Sequence, residues 1–241
     1  MAVSYEEDAG IKDLSVTWEQ MIGKPEWQQY LKQIIHECGK FGGSLTIASE
    51  IPLGKGMGSS TALVIAVCKC LLGEDCKKRA QEIEDIVNPN NSGIDFAVIW
   101  NEKPVRFIKG SDLEIIDLPD DLLSGALLID TGDPDQQTPE LIEWVTERKD
   151  ELEEPLKIIG SCSKKIQQND NIIDVFKEHN KAQKSLGIVS DKAKELITKI
   201  EQEGGAAKVI GAGSKTGGCG MILAIGIDAK MIGDAYPIIR L

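Results

Sequence analysis

Between Glu26 and Cys38 the apolar residues Trp27, Tyr30, Leu31, Ile34, Ile35 and Cys38 recur at intervals of three and four. That spacing is one stripe along a helix, ended by Gly39 and the Gly42-Gly43 pair. The acidic, unpatterned residues before it predict a frayed end or connector over the first dozen positions. SLTIASEIP alternates, with Leu45 and Ile47 on one face, and predicts a half-buried strand stopped by Pro52. A glycine loop follows, and the apolar run after it predicts a helix from Ser59 to Leu72. KKRAQEIEDIV reads as a helix charged on one side, and NPNNSGID as a turn. FAVIW, PVRFIKG and LEIIDLP read as short strands, the first two joined as a hairpin.

In the second half, GALLIDTG predicts a fully apolar strand closed by Asp130 and Gly132. TPELIEWVTERKDELEEPLKII predicts one long helix with Pro139 in its first turn, and residues 171–186 a weaker one. In SDKAKELITKIEQEGG, Ser190 or Asp191 caps, Ala193, Leu196, Ile197 and Ile200 form the stripe, and Gly204 closes. AAKVIGAGSKTGGCGMILAIG reads as strand, glycine loop, strand. Helices and strands mix without a regular β-α-β rhythm, which predicts an α+β fold. The best boundary lies near Asp120, giving domains 1–120 and 121–241 with one glycine loop in each.

Composition narrows the partners. The chain has 241 residues, enough for a sizeable core, and a formal charge of −12, which argues against a broad nucleic-acid or membrane surface. No apolar run approaches the roughly 20 residues that cross a bilayer, and the acidic start has no secretory apolar segment, so a cytoplasmic protein is expected. Six cysteines without a CxxC pair, and only two histidines, make a zinc cluster improbable and predict incidental thiols in a reducing compartment.

The stretch PLGKGMGSSTA carries the chemistry. Gly54, Gly56 and Gly58 can adopt positive φ and present backbone N–H groups without a Cβ in the way. Ser59 and Ser60 then open a helix, whose first N–H groups have no internal partner and whose dipole is positive. Together these make an anion site suited to polyphosphate, with Lys55 as an added point charge and a serine to reach a phosphate-bridging Mg²⁺. It is not Walker A, because Lys55 precedes Gly56 and no Gly-Lys-Ser/Thr follows; nor is it GxGxxG, whose third glycine falls one residue later.

PLGKGMGSSTA resembles the PxxxGLGSSAA signature of the GHMP kinases, with Met57 for leucine and Thr61 for alanine. SGID at Ser92–Asp95, with Glu84 eleven residues upstream, resembles the PSGID segment of the mevalonate kinases and their magnesium-binding glutamate. AKVIGAGSKTGGCGMIL resembles the late AKxTGAGGGGC segment, with Ile210 for threonine and a run about two residues longer. LLIDTGDPDQQTPELI is similar to the DTG…ST-K/R-EL segment, and Thr138 stands at its threonine. The likeness covers roughly residues 44–225.

The resemblance implies a two-domain fold, S5-like at the amino end and ferredoxin-like at the carboxyl end. It implies ATP and Mg²⁺ as cofactors, with ATP phosphates held by Lys55, Gly56, Met57, Gly58, Ser59, Ser60, Thr61, Gly211, Ala212 and Gly213. Ser60 and Glu84 take the metal; Asp95 contacts the primary hydroxyl of mevalonate and is the base; Ser92, Gly93 and Thr138 line the substrate. A homodimer is implied by the same analogy. Relatives begin with a strand like APGKVILFGEH, which supplies a lysine near the reacting oxygens, and this chain has nothing of that kind. Other acceptors, such as phosphomevalonate or a sugar, and a non-catalytic nucleotide-binding relative stay open as alternatives.

Overall fold

The computed structural model describes residues 1–8, 10–11 and 13–241. The chain divides into two compact units: residues 1–53 with 58–116, and residues 54–57 with 117–241.

The first unit is built on a three-stranded sheet. β1 (Ala2–Glu7) pairs antiparallel with β3 (Gly43–Ala48), and β2 (Leu14–Trp18) pairs parallel with the other side of β3. The expectation of a frayed start is therefore corrected over Ala2–Glu7; residues 9 and 12 lie outside the described residues. Val3 and Tyr5 alternate toward the core in β1, a period of two too short to stand out against the acidic residues after it. Leu45 and Ile47 are buried in β3, as the alternation predicts.

Four helices pack with this sheet. α1 (Pro25–Cys38) buries Leu31 and Ile34 and leans Trp27, Tyr30, Ile35 and Cys38 on the same core. α2 (Ser59–Leu72) is buried along most of its length, which is why it is apolar all round. α3 (Lys77–Val87) buries Ala80, Ile83 and Glu84. The FAVIW stretch is not a strand: it lies in α4 (Ile94–Asn101), opened by Gly93 in the left-handed conformation. A five-residue apolar run fits strand and helix equally by pattern. Here the left-handed Gly93, burial of Phe96 and its stacking on Trp100 at 5.5 Å, one helical turn on, decide for helix. β4 (Val105–Arg106) pairs instead with β5 (Glu114–Ile115), in a two-residue antiparallel ladder.

The second unit is an antiparallel sheet. β6 (Leu127–Asp130) lies centrally and is closed by Asp130 and Gly132 as expected. The predicted long helix is two: α5 (Thr138–Glu147) and α6 (Glu153–Gln167). Pro155 explains the break. It has no N–H to give, and its ring collides with the carbonyl four residues back, so the chain restarts with proline in a first turn. α7 (Ile172–Ser185) and α8 (Asp191–Gln202) follow, then β7 (Ala206–Val209), β8 (Met221–Ile225) and β9 (Ile238–Arg240), in the sheet order β7-β8-β6-β9. Ala193, Leu196, Ile197 and Ile200 of α8 pack on Ala207, Val209, Ile222 and Ala224, while Ala206 and Ile225, on the opposite pleat, meet Phe176 of α7. No helix among the described residues is long and apolar enough to cross a membrane.

Candidate active site

In the second unit the first glycine loop and the later one meet backbone to backbone. A Cβ on Gly56 would lie 2.8 Å from Gly211 Cα, and one on Gly211 would lie 2.7 Å from Gly56 Cα. Gly56 also sits at φ +77°. Side chains are excluded at both positions by contact, and at Gly56 by conformation as well. Beside this contact the Met221 N–H donates to the Lys55 carbonyl at 3.1 Å. The backbone of Gly54–Met57 is thereby fixed against the segment that holds Gly211, Ala212 and Gly213.

Lys55 does not point a spare charge at a ligand. Its Nζ lies 2.6 Å from Asp133 and 3.2 Å from Asp130. Desolvation works to lower its pKa, but the hydrogen bonds to Asp133 and Asp130 outweigh it and hold the ammonium above its usual value. These ion pairs tether Lys55 within the second unit, and a phosphate reaching it would have to compete with two carboxylates. Asp130 also accepts the Gly132 N–H at 2.8 Å, which fastens the tether to the end of β6.

The second loop is organised by a residue that sequence reasoning missed. Gln136 Oε1 accepts from the Lys215 N–H at 2.7 Å, the Ser214 hydroxyl at 2.9 Å and the Thr216 N–H at 3.3 Å. The extra Ser214-Lys215-Thr216 residues are thus wrapped around one amide side chain. Lys215 itself lies over the Trp144 ring, 3.7 Å from its centroid. Thr138 is exposed at the start of α5, whose cap is made by Gln137 and Glu140.

The first unit gathers the side-chain chemistry. Gly58, left-handed at φ +65°, is the N-cap of α2, so no side chain caps that helix. A Cβ there would stand 3.3 Å from Ile99 Cδ1 and 3.6 Å from Asp95 Cγ, which places the Asp95 side chain beside the start of α2. Glu84 is only 3% exposed. Its Oε1 accepts from the Thr61 hydroxyl at 2.8 Å and from Asn88 Nδ2 at 2.9 Å, while Oε2 is buried with no partner. Burial raises the Glu84 pKa, the Thr61 and Asn88 hydrogen bonds oppose it, and the Asp95 charge adds to the rise. Asp95, in the first turn of α4, is raised by desolvation although its outer side is open to solvent.

Ser60 does not hydrogen-bond Glu84; its hydroxyl meets Tyr30, which also accepts from Asn88 Nδ2 at 2.6 Å. Tyr30 and Asn88 were not found from sequence. Asn88 stands one helical turn after Glu84, a spacing that signals a side-chain partner. Ser92 and Gly93 form the turn into α4, where Ser92 Oγ accepts the Ile94 N–H at 3.3 Å and Gly93 has φ +86°.

Among the described residues no group of three His, Cys, Asp or Glu side chains is arranged to hold a metal. Mg²⁺ does not need one, since it commonly keeps waters and phosphate oxygens alongside one or two carboxylates. The unpartnered Oε2 of Glu84 fits that requirement: a buried carboxylate oxygen without a donor is costly unless a cation occupies the space before it.

Residues 27–101 match the family model described as GHMP kinases N terminal domain. The chain is 28% identical to a mevalonate kinase of Thermococcus gammatolerans over 257 aligned positions, 93% of this chain and 72% of that protein. The Methanococcus jannaschii mevalonate kinase structure superposes with a TM-score of 0.74 at 19% identity, covering 99% of this chain and 86% of that one. The L. major mevalonate kinase, solved in complex with R-mevalonate, gives 0.75 at 15% identity, covering 99% and 85%. The α+β fold is that of the GHMP kinases.

Proposed function

We propose that this chain, a GHMP kinase close to the mevalonate kinases in sequence and fold, transfers the terminal phosphoryl group of ATP to the primary hydroxyl of mevalonate. One observation carries the reading: Glu84 is buried with a carboxylate oxygen left open, and Asp95 is near enough to raise its pKa. Two acids set together at the head of an uncapped helix are the parts that a phosphotransferase needs and a structural domain avoids.

Backbone N–H groups of residues 54–60 take the β- and γ-phosphates, a role supported by the positive φ of Gly54, Gly56 and Gly58. The amides near Gly211 and Gly213, held against Gly54–Met57 through Gly211, add dipoles to that loop. Glu84 would hold Mg²⁺ through Oε2, with Oε1 fixed by Thr61 and Asn88, and Ser60 would offer its hydroxyl as a second ligand. Bound there, the ion would supply positive charge against the phosphates during transfer. Asp95 accepts the hydroxyl proton of mevalonate and orients that oxygen. Its partial desolvation favours taking a proton without tying the carboxylate to another donor. The same reading expects a homodimer, which light scattering on the purified chain checks, and a cytoplasmic location, which fractionation of the source cells checks.

The test is ATP-dependent phosphorylation of mevalonate, followed by ADP release, beside homoserine, galactose and phosphomevalonate. Asp95→Asn and Glu84→Gln are each expected to lower kcat by about two to three decades, the scale of one lost transition-state group. Unchanged turnover in both variants would refute the roles; preference for another acceptor would refute the substrate.

A further inference from the structure

The thiols of Cys38 and Cys68 meet inside the first unit, their sulfurs 3.7 Å apart. Cys38 is the last residue of α1 and is partly exposed, whereas Cys68 is buried in α2. Gly39 follows Cys38 directly at φ +136°, with only the Phe41 ring within 4 Å of where a Cβ would stand. The Arg79 guanidinium approaches from α3, bonded to the Glu37 carbonyl at 2.6 Å. The hydrogen bond from Cys68 and, at longer range, Arg79 hold the Cys38 thiol below its usual value against desolvation; Cys68 is pushed up. One thiol is thus partly exposed and the more acidic of the two, and the other is buried behind it.

We propose that Cys38 and Cys68 form a redox-modification site, in which a hydroperoxide oxidises the pair to a disulfide that fastens α1 to α2. The Cys38 thiolate attacks a peroxide oxygen; an S–O bond forms, the O–O bond breaks, and the released hydroxide becomes water. Cys68 then attacks the sulfenic sulfur, its proton leaves with the departing hydroxyl as a second water, and the S–S bond closes. Two thiols are oxidised and one peroxide is reduced. Closure needs the sulfurs to move from 3.7 Å to about 2.0 Å. The site has a further consequence. Tyr30 precedes Cys38 by eight residues on α1, and Ser60 precedes Cys68 by eight on α2, and the Ser60 hydroxyl lies beside that of Tyr30. The two helices run side by side in register, so the disulfide clamps at one end the pair that carries Tyr30 and Ser60 at the other.

The experiment treats the purified chain with hydrogen peroxide and maps peptides without reduction. The expected product is a cross-linked pair through Cys38 and Cys68, 2 Da lighter than the reduced peptides and released by dithiothreitol. Cys38→Ser and Cys68→Ala should each abolish it, while Cys70→Ser should not. Circular dichroism checks that each variant is folded, and the partly exposed Cys38→Ser keeps the test decisive if Cys68→Ala is not. Sulfinic or sulfonic Cys38 without a cross-link, a cross-link joining other cysteines, or no loss of thiols would overturn the proposal.

Discussion

Replacing Gly56 by alanine tests whether the two glycine loops form one phosphate cradle. The new Cβ would lie 2.8 Å from Gly211 Cα and 3.2 Å from Gly211 N, both backbone atoms that no rotamer can move. Carbon–carbon contact is comfortable from about 3.5 Å, so the backbones must part by roughly 0.7 Å. At φ +77° alanine adds about 1–2 kcal/mol of left-handed strain. A displacement of that size takes a hydrogen bond of about 2.9 Å beyond its useful range. Charge-assisted bonds are each worth about 1.5–3 kcal/mol, so losing one weakens ATP binding by about 10- to 150-fold. Gly211→Ala makes the same collision from the other side, 2.7 Å from Gly56 Cα, without a left-handed backbone. It should therefore weaken ATP comparably and cost less stability. Calorimetric titration with ATP, beside thermal unfolding of each variant, separates the two effects. If both variants are folded and bind ATP within twofold of the parent protein, the cradle argument is wrong.

Three further outcomes are expected. Lys208 is desolvated between β7 and α7 with only the Val209 carbonyl at 3.1 Å to accept from it, and its pKa is lowered to about 8. Its penalty is full below about pH 8 and relieved as pH rises from there toward 10.5, so Lys208→Met should raise the unfolding midpoint at pH 7 by up to about 3 kcal/mol equivalent and flatten that pH dependence; an unchanged midpoint at pH 7 refutes it. Burial, with the Lys208 charge, lowers His179 to about 4, and its Nδ1 has no partner. Stability should then fall as pH drops from 6.5 through 4, and His179→Gln should remove that slope in acid titrations. Gln136→Ala should speed amide hydrogen exchange at Lys215 and Thr216 by about tenfold or more, because both N–H groups lose their acceptor; exchange at the parent rate would mean the loop is held otherwise.

What the sequence made legible follows from where information is local. The stripes of α1 and α8, and the Ser190 cap, are written in neighbours three and four residues apart, and the structure has them at those residues. The glycine loop is legible for a related reason: when chemistry lies in the backbone, glycine is its only sequence trace. α4 was misread because its five apolar residues carry no period, and what decides its helix includes packing of Phe96 in the core. The partners of the site were the hardest to see. Asn88 meets Tyr30 across 58 positions, and Gln136 meets Lys215 across 79. Polar residues of that kind are common on any surface, and only the fold singles them out. The ion pairs of Lys55 are hidden for the same reason: Asp130 and Asp133 are distant from it in sequence.

The proposed groups divide their labour by the kind of atom. Tyr30, Thr61, Glu84 and Asp95 each come from a different helix, α1, α2, α3 and α4, so their side chains are positioned by rigid elements packed on one core. The phosphate loops instead contribute backbone, and their precision comes from glycine contacts too close for a side chain. These two modes fail differently. Losing the open carboxylate oxygen of Glu84 removes a ligand for a cation while leaving the amides in place, so the defect should appear as a raised magnesium requirement. Displacing the Gly56–Gly211 contact leaves that carboxylate untouched and spoils the amides, so the defect should appear in affinity for the nucleotide. A variant of either class with the other's signature would mean that metal and phosphate are not held by the groups assigned to them.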